Sequence, residues 1–334
     1  MKPIAVVILN WNGANLLREY LPSVCNNTPT LLADIIVADN GSTDNSLEVM
    51  RREFPHVRTI TFTENYGFAE GYNRAIAQLQ EYPYIVLLNS DVAVAEGWLQ
   101  PLYEYAEKHT EVAALQPKIR AYRDRDSFEY AGAAGGFLDC NGYPYCRGRI
   151  FATVEQDTGQ YDDVCEVAWA SGAALMVRTH IYQQAGGLDA SFFAHMEEID
   201  LCWRMRLMGH RIVAVPQGIV YHYGGASLDN SSPRKLYLNY RNNLLMMYKN
   251  LPTNIRSWRI FRRQLYDGVS AVKYLLSGQW EYVKAVWNAH CDFRKMKGNY
   301  NTHPTTNKLN DLPQGRVNII LSYFLQGKKR YSQL

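Results

Sequence analysis

Residues 84–98 read YIVLLNSDVAVAEGW. Tyr84 to Leu88 form an uninterrupted apolar run of strand formers, and the run stops at Asn89, Ser90 and Asp91. A short apolar run bounded by turn residues predicts a strand covered on both faces, the habit of parallel sheets. Asn, Ser and Asp are ordinary turn residues, so the cluster alone does not separate a plain turn from a ligand site.

The pattern N-terminal to this run makes the distinction. Ile4 to Leu9 (IAVVIL) predict a buried strand, NWNG a turn, and Ala14 to Val24 a helix. A second strand, Asp34 to Ala38, leads through DNGSTDNS into a helix from Ser46 to Phe54. A third, Val57 to Phe62, leads through ENYGFAEG into a helix from Tyr72 to Gln80. Strand, loop and helix repeated with short connections predict an α/β fold, Rossmann-like, with a mainly parallel central sheet. Ligands of such sheets bind beyond the carboxyl ends of the strands. The polar clusters after Leu9, Ala38 and Leu88 all fall there. Residues 112–165 read as loops and short strands, Val167 to Val177 as a strand, small-residue turn and strand, and Asp200 to Met208 as a helix stopped at Gly209. Ile212 to Val215 and Ile219 to Tyr223 read as short strands, and the chain is helical from about Leu236.

Composition bounds the function. The chain has 334 residues, 47% hydrophobic and 20% charged, enough for one large domain or a domain plus an appendage. Its net charge of +3 hides an asymmetry. Residues 1–250 hold 21 Lys+Arg against 28 Asp+Glu, a net of −7, and residues 251–334 hold 14 against 4, a net of +10. A basic tail on an acidic body suits an anionic surface. No nucleic-acid module accompanies the tail, so nucleic acid is not the expected partner. The six cysteines show no CxxC pair and no zinc spacing, and read as free thiols of a cytoplasmic protein. No apolar run reaches the length of a membrane span. No GxGxxG follows the first strand, which disfavours NAD.

Four clusters carry chemistry. Asp39 ends a strand in DNGSTD, where a carboxylate can accept from ribose hydroxyls or a base N–H; helix capping explains the same residues. In NYGFAEGYNRAI, Gly67 and Gly71 allow backbone to approach a ligand. Asp91 is a hard oxygen ligand suited to Mg²⁺ or Mn²⁺, with a diphosphate supplying the remaining ligands. In FFAHMEEIDLCWR, Glu197, Glu198 and Asp200 crowd three acids into four positions, which raises carboxyl pKa values and suits a general base. Arg204 follows Asp200 by four and can pair with it on one helix face.

The ordered set VILNWNG, VADNGSTD, ENYGFAEGYNRA, LLNSDV, SGAALMVR, FFAHMEEIDLCWR and VYHYGGAS resembles family 2 glycosyltransferases of the A-type (GT-A) fold, nearest their rhamnosyltransferase-like bacterial branch. The resemblance covers about residues 1–245. It implies a catalytic domain over 1–245 and a basic, aromatic-rich helical region over 246–334. It implies an inverting transferase that takes a sugar from a nucleotide diphosphate sugar, dTDP-rhamnose or a UDP-sugar, to a hydroxyl of a lipid-linked or growing surface-polysaccharide acceptor. Asn10 and Trp11 would line the nucleotide pocket, Asp39 would hold the base or ribose, and Asn65, Gly67 and Asn73 would border the donor. Asn89 and Asp91 match the family's D-x-D pair with Asn in the first place. His222 matches a histidine that completes the metal or diphosphate site. Glu198 falls where the family's catalytic Asp usually stands, and its extra methylene leaves Glu197 and Asp200 open as the base. Trp169, Ser171, Gly172 and Arg204 would face donor and acceptor. The Asn89 and Glu198 departures keep a catalytically degenerate glycan- or lipid-binding protein as the alternative.

Residues 258–296 mix Trp, Phe, Tyr and Leu with Lys and Arg at helical spacing, interrupted at Ser277-Gly278. They predict a helical hairpin that attaches peripherally to the inner face of the bacterial inner membrane through anionic lipid. Packing on the catalytic domain, or on a second copy in a homodimer, is the competing reading.

Overall fold

The protein is described by a computed structural model covering residues 2–224, 232–300 and 309–334. Its amino-terminal half follows the expected alternation. Strands β1 (Ile4–Asn10), β2 (Ala33–Asp39), β3 (Arg58–Thr61) and β4 (Tyr84–Asn89) are separated by helices α1 (Ala14–Asn27), α2 (Ser46–Glu53) and α3 (Gly67–Ile76). All pairings among these four strands are parallel, in the order β4-β1-β2-β3. Alternate residues of β1 point to opposite faces, as strand geometry requires. Ile4, Val6 and Ile8 pack with α1, α2 and α4 (Gln100–Lys108), whereas Ala5 and Val7 pack with α3, α5 (Thr179–Gln184), α6 (Glu197–Leu207) and α7 (Pro233–Asn250).

Beyond β4 the sheet becomes mixed. The short strand β5 (Val92–Val94), which pairs with β13, the long strand β6 (Val112–Ala121), and later β11 (Cys165–Val167), β12 (Ala174–Arg178) and β13 (Arg211–His222) complete nine strands among the described residues. β12 inserts antiparallel between β4 and β6, and β13 lies parallel to β6. Between them in sequence, β7 (Gly136–Leu138), β8 (Pro144–Cys146), β9 (Arg149–Ile150) and β10 (Thr153–Val154) form a small antiparallel sheet.

Three departures from the sequence expectation have physical causes. β6 is a ten-residue central strand where loops and short strands were expected. Gln116, Pro117 and Lys118 interrupt its apolar run, yet all three are accommodated inside. Gln116 accepts from the Ser171 N–H, Lys118 pairs with Asp157 and Asp162, and Pro117 faces a register shift in β13. β13 is one strand, bulged between Val215 and Ile219, rather than two. α3 starts at Gly67 instead of Tyr72, because its glycines serve close packing rather than a loop: a Cβ at Gly71 would lie 3.0 Å from the Leu9 side chain.

The carboxyl-terminal region contains the expected hairpin, α8 (Thr253–Leu276) and α9 (Trp280–Met296), with Ser277 and Gly278 at the turn. α7 packs against both. The position 245/246, where the two regions were expected to divide, lies inside α7. Residues 309–334 return to the small sheet: Tyr331 stacks on Phe137 and Ile319 N–H donates to Asp139. No helix among the described residues is long and apolar enough to cross a membrane.

Candidate active site

The carboxyl ends of β1, β2 and β4 lie side by side, with Asn10 opposite Asp39 and Leu9 opposite Asn89. The loops there are tied by polar side chains that the turns leave available. Asn10 Nδ2 donates to Asp39 Oδ2 at 3.0 Å and to Ser42 Oγ, while Asp39 Oδ1 accepts from the Ser42 N–H. Asn40 donates to Asn65 Oδ1 and to the Gly67 carbonyl, and Asn65 Oδ1 also accepts from the Gly67 N–H. Gly67 has φ +77°, which glycine adopts without strain. Trp11 projects from this rim and is 56% exposed. Sequence reasoning passed over Asn40 because an Asn in a turn needs no further explanation. Only the tertiary structure shows it bridging two loops.

A second cluster forms where β5 pairs with the end of β13. His222 Nε2 lies 3.2 Å from Asp91 Oδ1, and its Nδ1 lies 3.4 Å from Glu129 Oε2. The side chains of all three are 8% exposed. Burial, the largest single influence, would lower the imidazole pKa, but the two neighbouring carboxylates together outweigh it and push it up to about 10. Burial also opposes ionisation of Asp91, and the hydrogen bond and charge of His222 more than offset it, holding the carboxyl below its usual range. Among the described residues no group of three or more His, Cys, Asp or Glu is arranged to hold a metal ion. The donor chemistry nevertheless fits a hard divalent cation. One carboxylate and one imidazole would become ligands once the Nε2 proton left, with Glu129 retaining the ring's other nitrogen as an outer-shell partner. Glu129 was missed in the sequence, where nothing distinguishes it from a surface acid. Of the VYHYGGAS segment, residues 225–227 lie outside the described residues.

The third cluster is the segment leading into α6. Ser171 Oγ donates to the Ala131 carbonyl, two residues from Glu129, and the Asn89 N–H donates to the Ala173 carbonyl. These bonds bring the Ser171-Gly172 turn beside β4. Glu198 lies against that turn: a Cβ on Gly172 would stand 3.6 Å from the Glu198 Cβ. Glu197 and Glu198 both have raised pKa values. For Glu197 the causes are burial first and then the Glu198 charge, and for Glu198 the cause is burial, opposed by N–H groups that include Gly172. Each carries a buried Oε2 with no hydrogen-bond partner. Glu197 is the more enclosed, whereas Glu198 is partly exposed. The backbone before them is strained. Phe193 (φ 67°, ψ −58°) forms a non-inverse γ-turn closed by Ala194 N–H to the Phe192 carbonyl at 2.8 Å, and His195 and Met196 also have positive φ. Such non-glycine conformations cost on the order of 1–3 kcal/mol each and need surrounding structure to hold them.

Four expected site residues are engaged elsewhere. Asp200, a candidate base, is fully buried. Burial would raise its carboxyl pKa, but Arg204 and Lys249 hold it low, and Asn250 donates to its other oxygen. Arg204, expected at the donor, is spent on Asp200 and on the Ala185 and Gly187 carbonyls. Trp169 is 3% exposed, packs on Gly136 and donates Nε1–H to the Phe137 carbonyl, so it is a core residue rather than a binding surface. Asn73 fixes the Leu188 backbone and accepts from the Tyr182 hydroxyl. Two cavities of about 300 Å³, one lined by Tyr84, Arg178 and His180 and the other by Lys2, Asp34 and Arg58, contain none of the expected site residues.

Residues 5–165 match the Glycosyl transferase family 2 pattern. The chain is 27% identical over 261 residues to N-acetylglucosaminyl-diphospho-decaprenol L-rhamnosyltransferase of Mycobacterium tuberculosis, covering 73% of this chain and 83% of that protein. It is 27% identical over 175 residues to rhamnosyltransferase WbbL of Escherichia coli, covering 50% and 64%. Among solved structures it is similar in fold to GalNAc-T7 with UDP, GalNAc and Mn²⁺ (TM-score 0.58, 16% identity, 75% of this chain and 48% of that one). It also resembles Staphylococcus aureus TarS 1–349 in complex with UDP-GlcNAc (TM-score 0.56, 15% identity, 86% and 80%). The alternation of strands, the polar ends of β1, β2 and β4 and these likenesses agree: residues 5–165 carry a glycosyltransferase family 2 domain, and the chain is a glycosyltransferase of the GT-A fold.

Proposed function

We propose that this glycosyltransferase moves a sugar, with inversion, from a nucleotide diphosphate sugar to a hydroxyl of a lipid-linked or growing surface-polysaccharide acceptor. dTDP-rhamnose is the favoured donor, because two relatives are named rhamnosyltransferases and one of these names a diphospho-decaprenol acceptor. The observation that carries the reading is the placement of Glu198 beside the Ser171-Gly172 turn, which is itself bonded to the strand that presents Asp91.

In this reading the rim formed by Asn10, Trp11, Asp39, Asn65 and Gly67 receives the nucleotide. Asn89, Ser171 and Gly172 border the sugar. Asp91 and His222 would hold Mg²⁺ or Mn²⁺, which when bound supplies positive charge for the departing diphosphate. Glu198 accepts the proton of the acceptor hydroxyl. Its raised pKa and access to solvent suit that task, while the more enclosed Glu197 beside it is pushed further toward its neutral form by burial and by the Glu198 charge. The acceptor oxygen bonds to the anomeric carbon as the bond to the diphosphate oxygen breaks, and the electron pair leaves with the nucleotide. A single displacement from the opposite face inverts the centre.

The same reading gives the carboxyl-terminal hairpin an anionic membrane surface as its partner. Trp258, Phe261, Leu265, Val269, Val272 and Leu276 of α8 and Trp280 and Trp287 of α9 are all exposed. They belong to the segment with net charge +10.

The decisive experiment incubates the purified chain with Mn²⁺, a panel including dTDP-L-rhamnose and UDP-GlcNAc, and a synthetic polyprenyl-diphosphate GlcNAc acceptor. Mass spectrometry should show one added sugar, and NMR should show an anomeric configuration opposite to the donor's. Neither transfer nor donor hydrolysis with any member of the panel would overturn the reading.

A further inference from the structure

The Tyr240-Arg241-Asn242-Asn243 stretch of α7 is far in sequence from every acid discussed above, and two of its side chains hold the turn that precedes them. Asn242 is fully buried, and its Nδ2 donates to the carbonyls of Phe192 (3.0 Å), Ala194 (2.9 Å) and His195 (2.8 Å). Arg241 Nη2 donates to the Phe192 carbonyl at 3.0 Å and to that of Ser191 at 3.3 Å. Arg241 Nε donates to Asn242 Oδ1 at 2.9 Å, so the amide is oriented with its nitrogen toward the loop. Behind them, the Tyr237 hydroxyl accepts from Arg241 Nη1 and donates to Asp292 of α9. One helix thus supplies N–H donors to the carbonyls of four of the five residues 191–195, the exception being Phe193 at the centre of the γ-turn. Unpaired carbonyls in this buried place would be costly, and the turn's positive φ values would otherwise relax.

We propose that Arg241 and Asn242 are positioning residues for the transfer step: they clamp residues 191–196 in a strained turn, and the clamp sets where Glu198 meets the acceptor hydroxyl. This rests on the assignment of Glu198 as the base. The carboxyl-terminal helices then belong to the catalytic apparatus, with Asp292, Tyr237, Arg241 and Asn242 forming a continuous line from α9 to the loop.

The experiment compares the parent with Asn242→Ala in dTDP-L-rhamnose transfer and, independently of any substrate, in hydrogen–deuterium exchange. Exchange in peptides covering 189–198 should rise about tenfold with little change in 201–207, since a freed loop opens without the rest of α6. kcat should fall about 10- to 100-fold with the donor KM nearly unchanged, because misplacement by an ångström costs rate more than donor affinity. Adding Phe193→Gly should recover part of the loss, since glycine adopts φ 67° without the clamp. If Asn242→Ala does not accumulate folded, Tyr237→Phe should give the same pattern in smaller measure. An unchanged kcat in a folded variant overturns the proposal, as does faster loop exchange with no loss of rate. Absence of transfer by the parent itself would instead count against the functional reading, and the exchange result would still decide whether the clamp exists.

Discussion

Glu198 and Glu197 show how two adjacent identical residues meet different surroundings. Each has one unpartnered Oε2, but Glu198 reaches some solvent and the Gly172 N–H, whereas Glu197 is enclosed beside the charge of Glu198. Glu198→Gln should lower kcat about 10²- to 10⁴-fold, the usual contribution of a general base. The pH–rate profile should show an acidic limb lying above the ordinary glutamate value of 4.5, because the active form is the ionised one and burial raises its pKa. A limb at or below the ordinary value would exclude Glu198 as the base. Glu197 gives a stability prediction of definite sign. Its folded-state pKa lies well above the unfolded one, so the folded protein retains a proton that the unfolded chain has lost. Stability therefore falls as pH rises from the ordinary value through the folded one. Glu197→Gln should flatten that decline and give a higher thermal midpoint than the parent at about pH 8, but not at about pH 4; parallel curves would refute it. At the Asp91–His222–Glu129 cluster, the proposed cation site, Glu129→Gln should weaken Mn²⁺ binding about 10- to 100-fold, as loss of a hydrogen-bond partner behind a ligand does. Electron paramagnetic resonance titration without substrate measures this directly, and equal affinity would remove Glu129 from the site.

At the scale of elements, α6 and α7 are joined by buried charge rather than by apolar contact alone. Asp200 accepts from Arg204 on its own helix and from Lys249 and Asn250 on α7, and Lys249 also reaches Asp189. Asp200→Ala leaves two cations with less anion than they were built around, and breaking a buried pair costs about 3–5 kcal/mol. Urea unfolding should show that loss, and a change of under about 1 kcal/mol would mean the cluster relaxes into water. Because the Asp200 carboxyl is held low, its contribution is present above the unfolded-state value and is lost as pH falls through the folded one. Its position in the acidic helix start made it look like a candidate base, but the partners that claim it lie 49 and 50 residues away.

For the whole molecule, the open question is what covers the hairpin. The exposed apolar positions of α8 recur at intervals of three and four residues from Trp258 to Leu276, so they form one stripe along a 24-residue helix. Arg259 and Arg262 beside it donate to the Cys140 carbonyl, and Arg263 pairs with Asp267 inside. Part of the basic tail is therefore folded against the body, and the stripe remains for a surface. The chain should co-sediment with phosphatidylglycerol-rich vesicles, less with zwitterionic ones, and less in high salt, each basic residue near the surface contributing about 1 kcal/mol. Replacing Trp258, Trp280 and Trp287 together by Ala should cut the partition constant at least about tenfold, equivalent to about 1.4 kcal/mol. Equal partition of parent and variant would end the membrane assignment, and a concentration-dependent dimer that the same changes abolish would assign the stripe to a second copy.

The sequence by itself determined the parallel half of the sheet and the polar strand ends, because both are local. Apolar runs of five or six residues bounded by Asn, Asp and Gly specify buried strands and their turns whatever lies elsewhere. It also pointed to Asp39, Asp91, Glu198 and His222, through the order of their motifs. Tertiary structure alone decided which acids are available. Asp200 and Glu198 are two residues apart on one helix, yet one faces Lys249 and Asn250 of α7 while the other faces Gly172. β6 was hidden because Gln116 and Lys118 look like surface residues until Ser171, Asp157 and Asp162 supply their partners. Glu129, Asn40 and Asn242 were hidden for the same reason. The role of a polar side chain depends on the desolvation it suffers and the partners that offset it, and those partners come from segments the chain brings together only on folding.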